Sequence, residues 1–203
     1  MDADRVRHIF RFVVTLTAIF GTTARIILSF TIGFGFPIFL YFTIQSNIMV
    51  CIFLVINLVK STKESSISSL LHGGILLYIL ITGIIFNIVL APGIKTSGFN
   101  LVVVSINHTV TPILFLTEWL FTESHGRLKW RHLRIWLIYP ALYLFASSVE
   151  GTVTDVFRYP FLDFLNQKPA AYFTGLAIII AAFIAVSAVI VLTDKKLKAA
   201  GSA

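Results

Sequence analysis

Apolar residues in this chain come in long blocks, and polar residues are confined to short stretches between them and to a few positions within them. Six blocks are long enough for a membrane span, which takes about 20 mostly apolar residues. They cover 9–30, 38–59, 70–90, 101–121, 135–148 and 173–192. The fifth is short in apolar count and extends towards Glu150. The pattern predicts an all-α polytopic membrane protein, a six-transmembrane-helix bundle forming one domain over 1–198. Residues 199–203 are set aside as an expression scar. No small-residue cleavage pattern follows the first block, so it reads as a retained helix.

Composition supports a lipid-facing surface. Of 203 residues, 57% are hydrophobic and 12% charged, against about a quarter charged in a soluble domain. The net charge of +7 does not point to nucleic acid, because the cations lie in the connections between apolar blocks. Twelve of the sixteen occupy the N-terminus (Arg5, Arg7, Arg11), the second connection (Lys60, Lys63), the fourth (Arg127, Lys129, Arg131, Arg134) and the C-terminus (Lys195, Lys196, Lys198). Arg25, Lys95, Arg158 and Lys168 fall on the other side. The positive-inside rule puts both termini in the cytoplasm, as an even number of spans requires. The single cysteine, Cys51, excludes a disulfide within the chain.

Polar groups inside spans cost free energy in hydrocarbon and are functional candidates for that reason. Thr43, Ser46 and Asn47 share one helix face by their i, i+3, i+4 spacing. The fourth block holds Asn107, His108, Thr111 and Pro112, the third Tyr78, Thr82 and Asn87, and the fifth Tyr139, Tyr143, Ser147 and Glu150. Thr43 and His108 both fall roughly 8–10 Å below the outer edge at 1.5 Å per residue. This level predicts a polar pocket in the outer half of the membrane. The long fifth connection, 150–168, carries Glu150, Asp155, Arg158, Tyr159, Pro160 and Asp163 and is expected to pack as a lid. Glu118, about 15 Å deeper than His108, is expected to snorkel towards the cytoplasm, and His72 to sit at the interface. Structural roles compete at each position: a membrane threonine commonly bonds the carbonyl four residues back, and asparagine is common interhelical glue. No Cys/His cluster has zinc spacing, and the H-E-x-x-H, G-x-S-x-G and phosphate-loop motifs are absent. No metal or organic cofactor is expected.

Four pieces, in order along the chain, resemble one superfamily: Tyr41-Phe42-Thr43-Ile44-Gln45-Ser46-Asn47, Asn107-His108-Thr109-Val110-Thr111-Pro112, Tyr139-Pro140-Ala141-Leu142-Tyr143 and Arg158-Tyr159-Pro160-Phe161-Leu162-Asp163. The superfamily comprises the androgen-induced and androgen-dependent tissue-factor-pathway-inhibitor-regulating proteins of animals, with a bacterial six-span branch that this chain resembles most. The resemblance implies an integral protein of the bacterial cytoplasmic membrane. It also implies an intramembrane hydrolase of fatty-acid esters of hydroxy fatty acids, with its threonine nucleophile at Thr43 and its histidine at His108.

The chemistry this implies is acyl transfer. A threonine hydroxyl needs a base to become a nucleophile, and His108 would take its proton and later protonate the leaving alkoxide. Asn47, Asn107 and Ser46 are candidates for support or for the oxyanion, and Glu150 or Asp155 for orienting the imidazole. The expected partners are a lipid or fatty-acyl ester substrate and the membrane lipids; the oligomeric state stays open. Two rivals use the same residues. A small-molecule transporter would use the polar layer as a binding site and Glu118 for protons, and a non-catalytic lipid-binding protein needs only structural roles for Thr43 and the asparagines.

Overall fold

A computed structural model describes residues 3–59 and 66–200, and every regular element among them is helical. Lys60 and Lys63 lie outside the described residues. Helix α1 runs Ala3–Thr31, α2 Phe42–Val59 and α3 Ser66–Ile85, which continues into a π-helical turn, Phe86–Leu90. The fourth block is α4 (Gly98–Ser105), a second π turn (Ile106–Val110) and α5 (Thr111–Thr122). Then follow α6 (Arg131–Trp136), α7 (Ile138–Thr154) and α8 (Pro169–Ala200).

Five helical segments are long and apolar enough to cross a membrane: Asp4–Thr31, Phe42–Val59, Ser68–Gly93, Gly98–Thr122 and Pro169–Ala199. They form an α-helical bundle of membrane-protein character. Their outer faces carry large exposed side chains such as Phe12, Leu16, Phe20 and Ile27 on α1, which only an apolar solvent would favour. The core is built around α3, whose Leu76, Leu77, Ile79 and Ile81 are fully buried against Val50 and Leu54 of α2 and Phe115 and Trp119 of α5.

The fifth block departs from its expected 135–148. It is split into α6 and the 17-residue α7, which runs on past Glu150. Pro140 supplies the reason. Proline lacks the N–H that would bond the carbonyl four residues back, so Trp136 O is left over. The Tyr78 hydroxyl donates to it at 2.8 Å. Pro112 does the same to His108 O, which instead accepts from Asn87 Nδ2 at 3.1 Å. Each proline thus creates an acceptor that a neighbouring helix must satisfy, because lipid cannot.

α3 meets α6 through two glycines. A Cβ on Gly73 would lie 2.6 Å from the Trp136 ring, and one on Gly74 2.8 Å. The indole N–H donates to Leu70 O at 2.9 Å, which fixes the ring there. Gly73→Leu is therefore expected to destabilise the bundle by about 1–3 kcal/mol through overpacking, measured as a lower thermal unfolding midpoint in detergent. An unchanged midpoint would mean that Trp136 yields freely.

Candidate functional site

Thr43 is the second residue of α2, so the residue four positions back, Phe39, lies in a separate 3₁₀ turn (Phe36–Leu40). That position decides its chemistry. Thr15, Thr17, Thr117 and Ser187 each spend their hydroxyl on the carbonyl four residues earlier in their own helix. Thr43 does not. Its Oγ1 pairs with the Tyr159 hydroxyl at 3.3 Å, and its backbone N–H donates to the same oxygen at 3.3 Å. The Phe42 N–H donates likewise to Tyr143. These are the N–H groups that a helix leaves without partners in its first turn.

Thr43 also lines a cavity of about 280 Å³. Its wall is apolar: Ile81, Ile85, Phe86, Leu144, Ile179 and Phe183 contribute, with Thr43, Thr82, Tyr143 and Tyr159 as the hydroxyl groups. The fifth connection closes one side, as expected of a lid. Tyr159 and Leu162 are buried there, and Tyr159 stacks flat on Phe161 with centroids 5.1 Å apart. Arg158 holds the loop down by an ion pair with Glu150 and lies over the Tyr41 ring at 5.7 Å. Burial pushes the Tyr159 phenol above its ordinary range, so at neutral pH it is a hydroxyl and not a phenolate.

His108 sits in the π turn of the fourth block, and its ring stacks on Phe86 with centroids 3.7 Å apart. Phe86 also lines the cavity. The ring Nδ1 lies 2.9 Å from Val104 O. A carbonyl only accepts, so Nδ1 carries the proton and Nε2 of the neutral ring keeps its lone pair. One bond joins α2 to the fourth block next to His108, from Asn47 Nδ2 to Asn107 O at 3.2 Å, so it is Asn47, one turn beyond Thr43, that stands at the level of Asn107. No hydrogen bond joins Thr43 Oγ1 to the His108 ring; Phe86 stacks on His108 and lines the same cavity as Thr43, and His108 lies behind Phe86 rather than in that lining.

The expected supporting residues are placed otherwise. Asn47 gives its amide protons to Thr43 O and Asn107 O, and Asn107 gives its own to Gly21 O and Val103 O. Both are fully buried with their donors spent on backbone, so neither is free to bind an oxyanion. Ser46 donates to Thr43 O and pairs with Thr82. Glu150 is committed to Arg158. Asp155 is exposed, in a left-handed conformation (φ 56°) that ends α7. Neither carboxylate contacts His108. Tyr159 was legible only as a loop aromatic, since the contact that matters joins positions 116 apart.

A second polar cluster lies at the opposite end of the bundle, and it corrects one expectation. Glu118 does not snorkel: it is 0% exposed, and His72 beside it is 2% exposed. Arg11 Nε donates to Glu118 Oε1 at 2.6 Å, and Thr122 donates to the same oxygen at 2.7 Å. His72 stands between two carboxylates, with Nε2 3.0 Å from Glu118 Oε2 and Nδ1 2.7 Å from Glu123 Oε2. Ser69 donates to Glu123 at 2.6 Å. Burial alone would raise the Glu123 carboxyl, but its bonds from His72 and Ser69 and the charge of Arg127 hold it below its usual range. Among the described residues no group of three or more His, Cys, Asp and Glu is arranged to hold a metal ion.

No family model, curated protein or solved structure matches the chain.

Proposed function

We propose that this protein is an intramembrane lipid ester hydrolase that cleaves fatty-acyl esters, such as fatty-acid esters of hydroxy fatty acids, with Thr43 as nucleophile and His108 as base. One observation carries the reading. Thr43 lines an apolar cavity and, unlike Thr15, Thr17 and Thr117, which bond carbonyls of their own helix, turns its hydroxyl to Tyr159 in that cavity's wall. The tautomer of His108 supports it, because Nε2 is the nitrogen that must accept the threonine proton. Hydrogen bonds of this kind are commonly long or poorly aligned before substrate binds. The resemblance of the four sequence pieces points to the same pair.

The test is turnover by purified protein on a panel of medium- and long-chain acyl esters, with mass spectrometry of quenched protein for an acyl group on Thr43. Turnover without a Thr43 adduct under any quench, together with full activity of a Thr43 variant, would transfer the chemistry elsewhere. The absent Thr43–His108 bond favours a non-catalytic lipid-binding protein as the second reading; that protein would bind acyl esters and release them unchanged. A transporter is less well supported. Phe53, Phe115, Leu76 and Leu77 fill the bundle below the cavity, and Glu118 is locked to Arg11.

We also place α7 as a sixth span, with both termini in the cytoplasm. At 17 residues it is about 26 Å long, close to the hydrocarbon thickness. In a Cys51→Ser background, a cysteine at Lys129 should be labelled only from the cytoplasmic side and one at Lys95 only from outside. The reverse pattern would invert the topology.

A further inference from the structure

We infer that Tyr159 is a catalytic residue of this site, donating its hydroxyl hydrogen to the carbonyl oxygen of the ester that Thr43 attacks. The inference rests on the hydrolase reading and supplies a part that the asparagines cannot, since their donors are occupied.

The geometry assigns this role in three steps. First, Tyr159 OH lies 3.3 Å from Thr43 Oγ1. A carbonyl oxygen on the carbon attacked by Oγ1 sits beside Oγ1, within reach of the same hydroxyl. Second, Thr43 N–H donates to the Tyr159 oxygen. A donor feeding the oxygen polarises the O–H and strengthens the bond it gives onward. The N–H comes from the first turn of α2, whose positive end favours negative charge nearby. Third, the ring is fixed before substrate arrives. It is 8% exposed, stacked on Phe161 and set edge-on to Tyr41, with centroids 5.7 Å apart at 81°. A donor already in place needs no reorganisation as charge develops, and this is where such groups gain their effect.

Thr43 Oγ1 forms a bond to the acyl carbon and its proton passes to His108 Nε2. The carbonyl π pair moves onto oxygen, where Tyr159 O–H stabilises the charge. The pair returns, the carbon–alkoxide bond breaks, and the alkoxide takes the proton from His108. Water then repeats the sequence on the acyl-threonine, releasing the fatty acid and restoring the hydroxyl. Tyr159 keeps its proton throughout. Glu150 and Arg158 act as positioning residues through the loop.

The experiment compares wild type, Tyr159→Phe and Thr43→Ala on the best ester of the panel, with 3-fluorotyrosine at position 159 as a fourth protein. Tyr159→Phe should lower kcat by about 10²–10³-fold, the usual loss for one oxyanion donor, with KM and the thermal midpoint near wild type. The fluorotyrosine protein, with its hydroxyl kept and made more acidic, should retain turnover and shift the pH profile on its alkaline side. If Thr43→Ala is inactive while Tyr159→Phe keeps wild-type kcat, the inference is overturned and the hydrolase reading stands. If Tyr159→Phe loses its fold, the fluorotyrosine profile decides: an alkaline limb that does not move with phenol acidity overturns the role. A wild type that cleaves no ester removes both readings together.

Discussion

Glu118→Ala is expected to destabilise the bundle by about 3–5 kcal/mol, the cost of leaving the partners of a buried charge without it. The side chain has no exposed surface and holds Arg11, Thr122 and His72 together. Those partners belong to α1, α5 and α3, so the loss falls on three helices at once. Glu118→Gln should cost less, because its amide oxygen still accepts from Arg11 or Thr122. His72→Ala should fall near Glu118→Ala, since it leaves Glu118 and Glu123 close together without the ring between them. Unfolding midpoints in detergent give the order. Equal midpoints for wild type and Glu118→Ala would show that the cluster contributes nothing to stability.

Thr43→Ala should reduce ester turnover by at least about 10³-fold, as loss of a nucleophile does where the rest of the site still binds and polarises substrate. His108→Ala should fall in the same range, and the double variant little below either, because residues that act as one unit are not additive. Thr43→Ser should keep part of the activity: the hydroxyl survives, but the χ1 restriction of the branched β-carbon is lost. All four proteins should bind a long-chain fatty acid like the wild type, since the cavity wall is otherwise intact. Full turnover by Thr43→Ala would remove threonine from the mechanism and favour the lipid-binding reading.

The spans were legible because length and apolarity decide them, and each of the five long helices overlaps an expected block. The fifth was misplaced because Pro140 acts through a carbonyl four residues away, whose partner is Tyr78 on another helix. Depth was legible only to within a turn: the Asn47–Asn107 contact sets Asn47, four residues past Thr43, beside the neighbour of His108. Pairing was not. Glu118 was expected to reach for water because Arg11, its real partner, lies 107 positions away. The same blindness hid Tyr159 from Thr43 and gave Asn47 and Asn107 free donors that the fold spends on backbone. A polar residue in a span announces that it has a partner, and only the packing says which.

The π turn at Ile106–Val110 ties these two ends to one another. Such a turn is an α-helix carrying one surplus residue, and one residue corresponds to a rotation of about 100° about the axis. The wide turn absorbs that residue, so deleting it there would restore a plain α-helix with Thr111–Thr122 still in phase. Glu118 would stay with Arg11 and Asn107 with Asn47. A residue deleted between the π turn and Glu118, where nothing absorbs it, would instead swing Glu118 away from Arg11. Among related chains, loss of one residue should therefore be found within 106–110 and not between Thr111 and Glu118.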